Sequence, residues 1–447
     1  MKSTIRSINS IHVQKLFGEY DYVLQSRSGV DNIEKLMILY GDNGSGKTTI
    51  LRCLFHLLAP DALRGHKSKV AAIPFQSFEI RFSSGDKVRA FRKGISLVGT
   101  FSMSLQFKGA KAEIIDFVSD KDFSVQATSK QHDLQTKRFL KSLSKLNLAL
   151  FFLSDDRTVR FAGSEEGLQF PEEVVDNEEI ILAEAHQSVR TQGGHRREDS
   201  ENMAQRLLSE SLQRAESWIK TQVLKGSSAG ESSVNSLYTE ILSRLSTLRE
   251  GESLQPDTTK RGIEGRVTQL ENRSRDYAKY GLLPEFQGKD IVSAVSVSKS
   301  SHLSIVTNVL TPYLDSMEKK LDALERTYRE VDTFVKVINS FFKNKVIRFE
   351  MHKGFEIRTS SGKLLPTVVL SSGERHLLLL FLNTITAFER TSLFIIDEPE
   401  ISLNIKWQRK LLSSLLECVG DNPVQYIFAT HSFELLAQHK NNVLKLA

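Results

Sequence analysis

The sequence predicts an α/β fold, and three observations predict it. A short apolar run, Leu36 to Tyr40, leads into Gly41-Asp42-Asn43-Gly44-Ser45-Gly46-Lys47-Thr48 and then into a helix opening at Thr48. A second apolar run, Leu393 to Ile396, ends on Asp397-Glu398. Between these halves lies a long segment whose apolar spacing turns helical from about residue 201. Buried strands feeding helices through short turns are the pattern of a layered sheet.

Taken in order, the first half continues with Phe75 to Phe82, which alternates apolar and polar residues like a strand. Ser83-Ser84-Gly85-Asp86 supplies a turn into a partner strand from Lys87 to Arg92, giving an antiparallel sheet. Residues 163 to 184 are acidic and poor in pattern, and read as an exposed loop. Glu201 to Lys225 and Val234 to Arg249 are amphipathic helices, with Gly226-Ser227-Ser228-Ala229-Gly230 expected to be a flexible link. A break with glycine and proline at 251–262 precedes another helix to about Leu283. From Leu310 the apolar residues step by four and three: Leu310, Leu314, Met317, Leu321, Leu324, Tyr328, Val331, Val335, Ile338. With charged residues between them this predicts a short coiled coil of ~45 Å, the alternative being a long helix packed against its neighbours. Val346 to Glu350 and Phe355 to Arg358 then form a hairpin. The expected division is 1–200 and 346–447 as two halves of one domain, with 201–345 as a helical insertion.

Composition narrows the class. The chain has 447 residues, 40% of them hydrophobic, enough for two or three real cores. No apolar run reaches the ~20 residues of a membrane span, and Met1 to Arg6 leads straight into polar sequence without an export signal. A cytoplasmic protein without membrane contact is expected. Cys53 and Cys418 read as reduced core residues, and no Cys/His cluster suggests zinc. A formal charge of +6 permits nucleic-acid contact without arguing for it.

The motifs carry the chemistry. Glycines at 41, 44 and 46 let the backbone turn tightly, so that successive N–H groups face an anion at a helix N-terminus. Asn43, Gly44, Ser45, Gly46, Lys47, Thr48 and Thr49 are therefore the expected nucleotide-binding residues, with Lys47 on the β- and γ-phosphates and the Thr48 hydroxyl on Mg²⁺. Asp397, at a strand end where ligands of α/β sheets bind, is the second expected Mg²⁺ residue. Glu398, one residue later, is placed to polarise the water that attacks the γ-phosphate of ATP. Leu370-Ser371-Ser372-Gly373-Glu374 opens a strongly apolar helix. By itself this reads as a serine N-cap. Beside a complete phosphate loop, Ser371, Ser372 and Gly373 read as a second anion site, completing the nucleotide pocket of another copy. That implies a homodimer or a higher even-numbered oligomer. His431 follows the strand Val424 to Phe428, where a γ-phosphate sensor would sit; a lone histidine there is otherwise structural.

Together these motifs resemble the Walker A, signature, Walker B and histidine-switch motifs of ABC-type ATPases of the SMC/RecF branch. The resemblance implies an ABC ATPase head, a mixed sheet with an antiparallel subdomain, split by a short helical or coiled-coil arm. It also implies ATP and Mg²⁺ as cofactors, and Glu398 and His431 as catalytic residues. Glu398 to Asn404 is similar to the D-loop, with Asn404 where a histidine is common, and Ser372 and Glu374 depart from the usual signature. Gln76, Gln106 and Gln126 are alternatives for the Q-loop glutamine. Phe151 to Arg157 resembles a further element, with Arg157 either near nucleotide or on the surface.

The motifs and the stretch Glu400-Ile401-Ser402-Leu403-Asn404-Ile405-Lys406-Trp407-Gln408-Arg409 look like the ATPase subunits of two-component anti-phage systems, PtuA-like or AriA-like. Sixteen residues follow His431, too few for a TOPRIM domain, and no HNH pattern stands out. The implied function is a slow ATPase that dimerises on ATP and regulates a separate HNH or TOPRIM nuclease effector, with no nuclease activity of its own. A RecF-like repair clamp binding DNA directly and a catalytically dead scaffold are the rival readings.

Overall fold

A computed structural model describes residues 6–25, 35–61, 65–155, 159–163, 195–230, 234–246, 256–299, 302–386 and 391–446. Arg157 and the acidic stretch 164–184 lie outside the described residues. The strands in chain order are β1 (Ile8–Leu16), β2 (Tyr20–Gln25), β3 (Leu36–Gly41), β4 (Ser77–Phe82), β5 (Lys87–Phe91), β6 (Phe101–Gln106), β7 (Glu113–Phe117) and β8 (Leu148–Leu153). They continue with β9 (Val159–Ala162), β10 (Lys345–Glu350), β11 (Gly354–Thr359), β12 (Leu364–Leu365), β13 (Thr391–Asp397), β14 (Val424–Thr430) and β15 (Val443–Leu446). The helices are α1 (Lys47–Leu58), α2 (His66–Ala72), α3 (Lys130–Ser144), α4 (His195–Gly230), α5 (Val234–Ser246) and α6 (Pro256–Ala278). After these come α7 (Lys289–Val297), α8 (Leu303–Phe341), α9 (Ser372–Thr386), α10 (Ile405–Val419) and α11 (Phe433–Leu436).

The chain divides into two compact units, Met1–Asp199 with Ala387–Ala447, and Ser200–Thr386. This differs from the expected boundary at 345/346. The hairpin β10–β11 and helix α9 both pack on α8, so their apolar faces are buried within the second unit. Among the described residues, no helix is long and apolar enough to cross a membrane.

The first unit is α/β. Its mixed sheet runs β15-β3-β14-β13-β8-β9. The pairings from β15 to β8 are parallel and β9 is antiparallel. Continuous apolar runs such as Leu393 to Ile396, at most 1% exposed, are what a sheet covered on both faces requires. The second sheet, β2-β1-β4-β5-β6-β7, is antiparallel and alternates: in β4 Phe78, Ile80 and Phe82 are buried while Arg81 is exposed. One core joins both sheets around α1, with Leu54, Phe55, Phe78, Ile80, Phe152 and Ile395 in the same cluster. A helix apolar nearly all round, as α1 is, has to be buried. Its C-terminal carbonyls receive the ammonium of buried Lys67, which donates to the carbonyls of His56, Leu57 and Ala59 at 2.9 Å each. A cation there completes the last turn and opposes the helix dipole. Cys53 and Cys418 are free and buried.

The second unit is built on the 39-residue helix α8, with Leu314, Leu321, Leu324, Val331, Val335 and Ile338 of the heptad pattern buried. It packs against α5 and, in parallel orientation, α6 of the same chain. Arg266 pairs with Asp315 and Glu318, and Arg273 with Asp322 and Glu325. Tyr277 stacks on Tyr328 with ring centroids 4.6 Å apart. The flexible link expected at Gly226 to Gly230 is instead the last turn of α4. A Cβ at Gly226 would lie 2.5 Å from Leu324 Cδ2, so the glycine permits a close helix crossing there. Packing against α8 outweighs the roughly 1 kcal/mol helical penalty of that glycine. The antiparallel strands β10-β11-β12 complete the unit.

Candidate active site

The site grows from the C-terminal ends of three neighbouring parallel strands. Register aligns Tyr40 of β3 with Thr430 of β14, and Ala429 of β14 with Asp397 of β13. Asp42, His431 and Glu398 therefore leave the sheet along one edge, where open α/β sheets present ligand-binding loops.

The loop after β3 is tightly wound. Gly44 and Gly46 have φ of 88° and 87°, the left-handed region that glycine enters without penalty. A Cβ on Gly46 would also strike Leu16 Cδ2 at 2.6 Å. The Ser45 N–H donates to the Asp42 carbonyl, and the Ser45 carbonyl accepts from the Tyr22 hydroxyl at 2.9 Å, so β2 braces the loop. Lys47, only 6% exposed, folds back and donates to the carbonyls of Gly41 and Asp42 at 2.8 and 2.9 Å. Its ammonium rests at the mouth of the loop on acceptors that an anion can replace.

Asp397 is the electrostatic centre of the site. It is 1% exposed, and neither carboxylate oxygen has a hydrogen-bond partner among the described residues. Burial pushes its carboxyl up to about 6; the Thr48 hydroxyl opposes the shift, Asp155 and Glu398 add to it, and Arg52 opposes it. A buried carboxylate with no completed hydrogen bond, close enough to the Thr48 hydroxyl of α1 to be stabilised by it, forms with that hydroxyl a fitting pair of ligands for a divalent cation. Two acids close to Asp397 favour a cation further. Asp155, at the end of β8, pairs with Arg52 at 3.6 Å.

Glu398 has φ of 48°, a strained value for a residue with a Cβ. Its N–H is tied to the Ala429 carbonyl at 2.9 Å, and its Oε1 lies 3.2 Å from His431 Nδ1. Glu398 and His431 thus meet, although 33 positions separate them. Sequence reasoning missed Glu400, which is buried behind them and accepts from Thr430 and His431. Its only sequence signal is its place two residues beyond Glu398. Asn404 caps α10 by accepting from the Trp407 N–H at 3.1 Å. The side chain of Gln76 donates to Arg92 O and that of Gln106 to Ala110 O, so both are engaged within the antiparallel sheet region.

Ser371, Ser372 and Gly373 belong to the second unit, at the start of α9. Ser371 and Glu374 form a capping box: Ser371 Oγ accepts from the Glu374 N–H at 3.3 Å, and Glu374 Oε2 from the Ser371 N–H at 2.7 Å. Lys345 of β10 donates to the same oxygen at 2.8 Å. Burial raises the Glu374 carboxyl, but Lys345 and Ser371 outweigh it and hold the group below its usual range. The phosphate loop, Asp397, Glu398 and His431 are thus gathered in the first unit, and Ser371 to Gly373 are presented by the second.

A family model described as AAA ATPase domain matches residues 26–436. No curated protein matches the chain. Among solved structures it is similar to the Smc head domain with an extended coiled coil bound to the C-terminal domain of ScpA, derived from Pyrococcus furiosus. The identity is 12%, with 98% of this chain and 93% of that chain covered and a TM-score of 0.35. It is also similar to a SmcHead bound to the C-winged helix domain of ScpA, at 12% identity, 98% and 93% coverage and TM-score 0.34. The SMC head domain from Thermotoga maritima follows at 11% identity, 96% and 91% coverage and TM-score 0.33.

Proposed function

The chain belongs to the AAA ATPase domain family, and from that premise we propose that it is an ABC-type ATPase whose pocket is shared between two copies. One observation carries the reading: Asp397 is buried with both carboxylate oxygens unpartnered, beside Thr48 on the helix that opens at Lys47. Such a group is costly in a folded protein unless a cation completes it. Thr48 and Asp397 would hold Mg²⁺, which supplies positive charge against the phosphate oxygens when bound.

The protein's own groups do the rest. The backbone N–H groups of Asn43 to Thr49 bind phosphate oxygens, and Lys47 exchanges its two loop carbonyls for the β- and γ-phosphates. Glu398 orients the attacking water and takes its proton; its strained backbone aims the carboxylate off the sheet edge. His431, within 3.2 Å of that carboxylate, reports the γ-phosphate to the loop after β14. Ser371 and Gly373 of a second copy close over the same phosphate, so dimerisation follows ATP. Hydrolysis is slow because the site is complete only in the dimer.

The role we infer is a nucleotide-dependent regulator of a separate nuclease or toxin effector in anti-phage defence, with no nuclease activity of its own. Its support is the pairing of a full ATP site with the short α6–α8 arm. The test is direct. Wild-type protein should bind ATP-Mg²⁺ and turn it over slowly, Lys47→Ala should lose binding, and Glu398→Gln should bind and stall. Wild-type turnover by Glu398→Gln would remove Glu398 as the base. Expression from the native operon should co-purify an effector. An ATP-dependent, salt-sensitive DNA mobility shift without an effector would instead favour a DNA-binding clamp.

A further inference from the structure

Behind Glu398 and His431 lies a second carboxylate whose surroundings are more constrained than either. Glu400 is 7% exposed, and its Oε1 takes every hydrogen bond that the structure gives its carboxylate. The Thr430 hydroxyl donates to it at 2.5 Å and the His431 N–H at 3.2 Å. His431 Nδ1 lies 3.6 Å from the same oxygen. Thr430 is fully buried, and its hydroxyl also accepts from the Ser432 N–H at 2.9 Å. Ser432 Oγ donates to Gln408 Oε1 at 2.9 Å, and the Gln408 amide donates to the Glu400 and Leu403 carbonyls at 3.4 and 2.9 Å. One carboxylate oxygen therefore joins the loop after β13 to the loop after β14.

Each of those loops carries one of the reacting groups. Glu398 sits two residues before Glu400, and His431 directly follows Thr430. Their mutual contact, Glu398 Oε1 to His431 Nδ1 at 3.2 Å, joins an exposed histidine and a half-buried glutamate on separate loops and needs something beneath it to hold the register. Backbone pairing reaches Glu398, whose N–H bonds the Ala429 carbonyl, and Thr430, which pairs with Tyr40, but it does not reach Glu400 or His431.

We propose that Glu400 is a positioning residue for ATP hydrolysis, clamping the His431 loop to the Glu398 loop through Oε1. This rests on the ATPase reading above. Glu400 touches neither the water nor the nucleotide; it fixes Thr430 and the His431 backbone, and through them the distance between Glu398 and His431. The role asks for an acceptor and not for a charge, because every bond comes to one oxygen.

The experiment compares Glu400→Ala and Glu400→Gln with wild-type protein. Glu400→Ala should lower kcat at least tenfold while KM and the affinity for ATP-Mg²⁺ change less than threefold, because the phosphate loop is untouched. Glu400→Gln keeps the accepting oxygen and should recover kcat to within about threefold of wild type. Hydrogen exchange on nucleotide-free protein gives a second reading. Amides at 430–432 should exchange at least tenfold faster in Glu400→Ala, with Glu400→Gln close to wild type. Unchanged protection in Glu400→Ala, unchanged kcat, or a loss of ATP affinity as large as the loss of kcat would each overturn the proposal. If Glu400→Gln were as impaired as Glu400→Ala, a clamp through Oε1 alone would be wrong. Absence of ATP turnover in wild-type protein, with the exchange pattern as expected, would overturn the ATPase reading while leaving the link between the loops in place.

Discussion

Asp397→Asn should make the empty protein more stable and useless for magnesium. The carboxyl is pushed up to about 6 from an ordinary 3.8 by burial. Between those values the folded state keeps a proton that the unfolded state has released, so stability falls as pH rises through that window and then levels off. By pH 7.5 the cost of holding the buried charge is about 3 kcal/mol; at pH 5 it is about 1.5 kcal/mol, and it vanishes near pH 3.5. Asparagine is neutral throughout. In metal-free, nucleotide-free buffer at pH 7.5 the variant should therefore unfold at a temperature about 6 °C above wild type, at roughly 2 °C per kcal/mol. The gain should shrink as pH is lowered. Differential scanning calorimetry from pH 4.5 to 8 reads this directly. Adding ATP with Mg²⁺ should raise the wild-type midpoint and leave the variant nearly unmoved, reversing their order. Equal stability of the two proteins at pH 7.5, or a gain as large at pH 4.5, would refute the account of Asp397 as a buried carboxylate that Thr48 and Arg52 only partly compensate.

Two further outcomes follow from the second unit. Mixing Lys47→Ala protein with Ser371→Arg protein should restore ATP turnover that neither has alone. In a head-to-tail mixed dimer both defects fall in one pocket and the other is intact; a silent mixture with dimerisation confirmed would count against a shared site. Lys345→Ala should lift the Glu374 carboxyl toward its usual range. Because that carboxyl is held low in the folded state, the stability it contributes is present at neutral pH and lost as pH falls through its folded value. Removing Lys345 should cost about 1 kcal/mol at pH 7 and less at pH 4. A midpoint unchanged at both pH values would mean that the Lys345–Glu374 pair contributes nothing.

Several features were legible because the chemistry that makes them is local. An apolar strand followed by three glycines ahead of a helix announced a tight strand-to-helix turn, and the structure has Gly44 and Gly46 at positive φ. The hydrophobic run ending in Asp397-Glu398 announced a covered strand. The heptads from Leu310 to Ile338 announced a seam, and most of them face one. The serine N-cap read at Ser371 is present, and in the fold Glu374 completes it as a capping box.

Whatever depends on residues far apart in the chain was decided by packing. The stretch from Gly226 to Gly230 looks like a link by composition, yet it is helical, because Gly226 lets α4 cross close to Leu324. The heptad face of α8 is covered by several helices of the same chain, among them α4 at Leu324 and α6, whose Arg266 and Arg273 pair with α8 acids, rather than by a pattern confined to α8. Glu400 shows the limit most clearly. In sequence it is one more acid after Glu398; in the fold it holds Thr430 and His431, thirty positions on. Parallel pairing of β13 with β14 brings their ends to one edge. Sequence alone determined which residues carry charge and where the chain must turn. The tertiary structure decided which of them share a site, because strand order and register, which bring distant positions together, arise only when the whole core is buried.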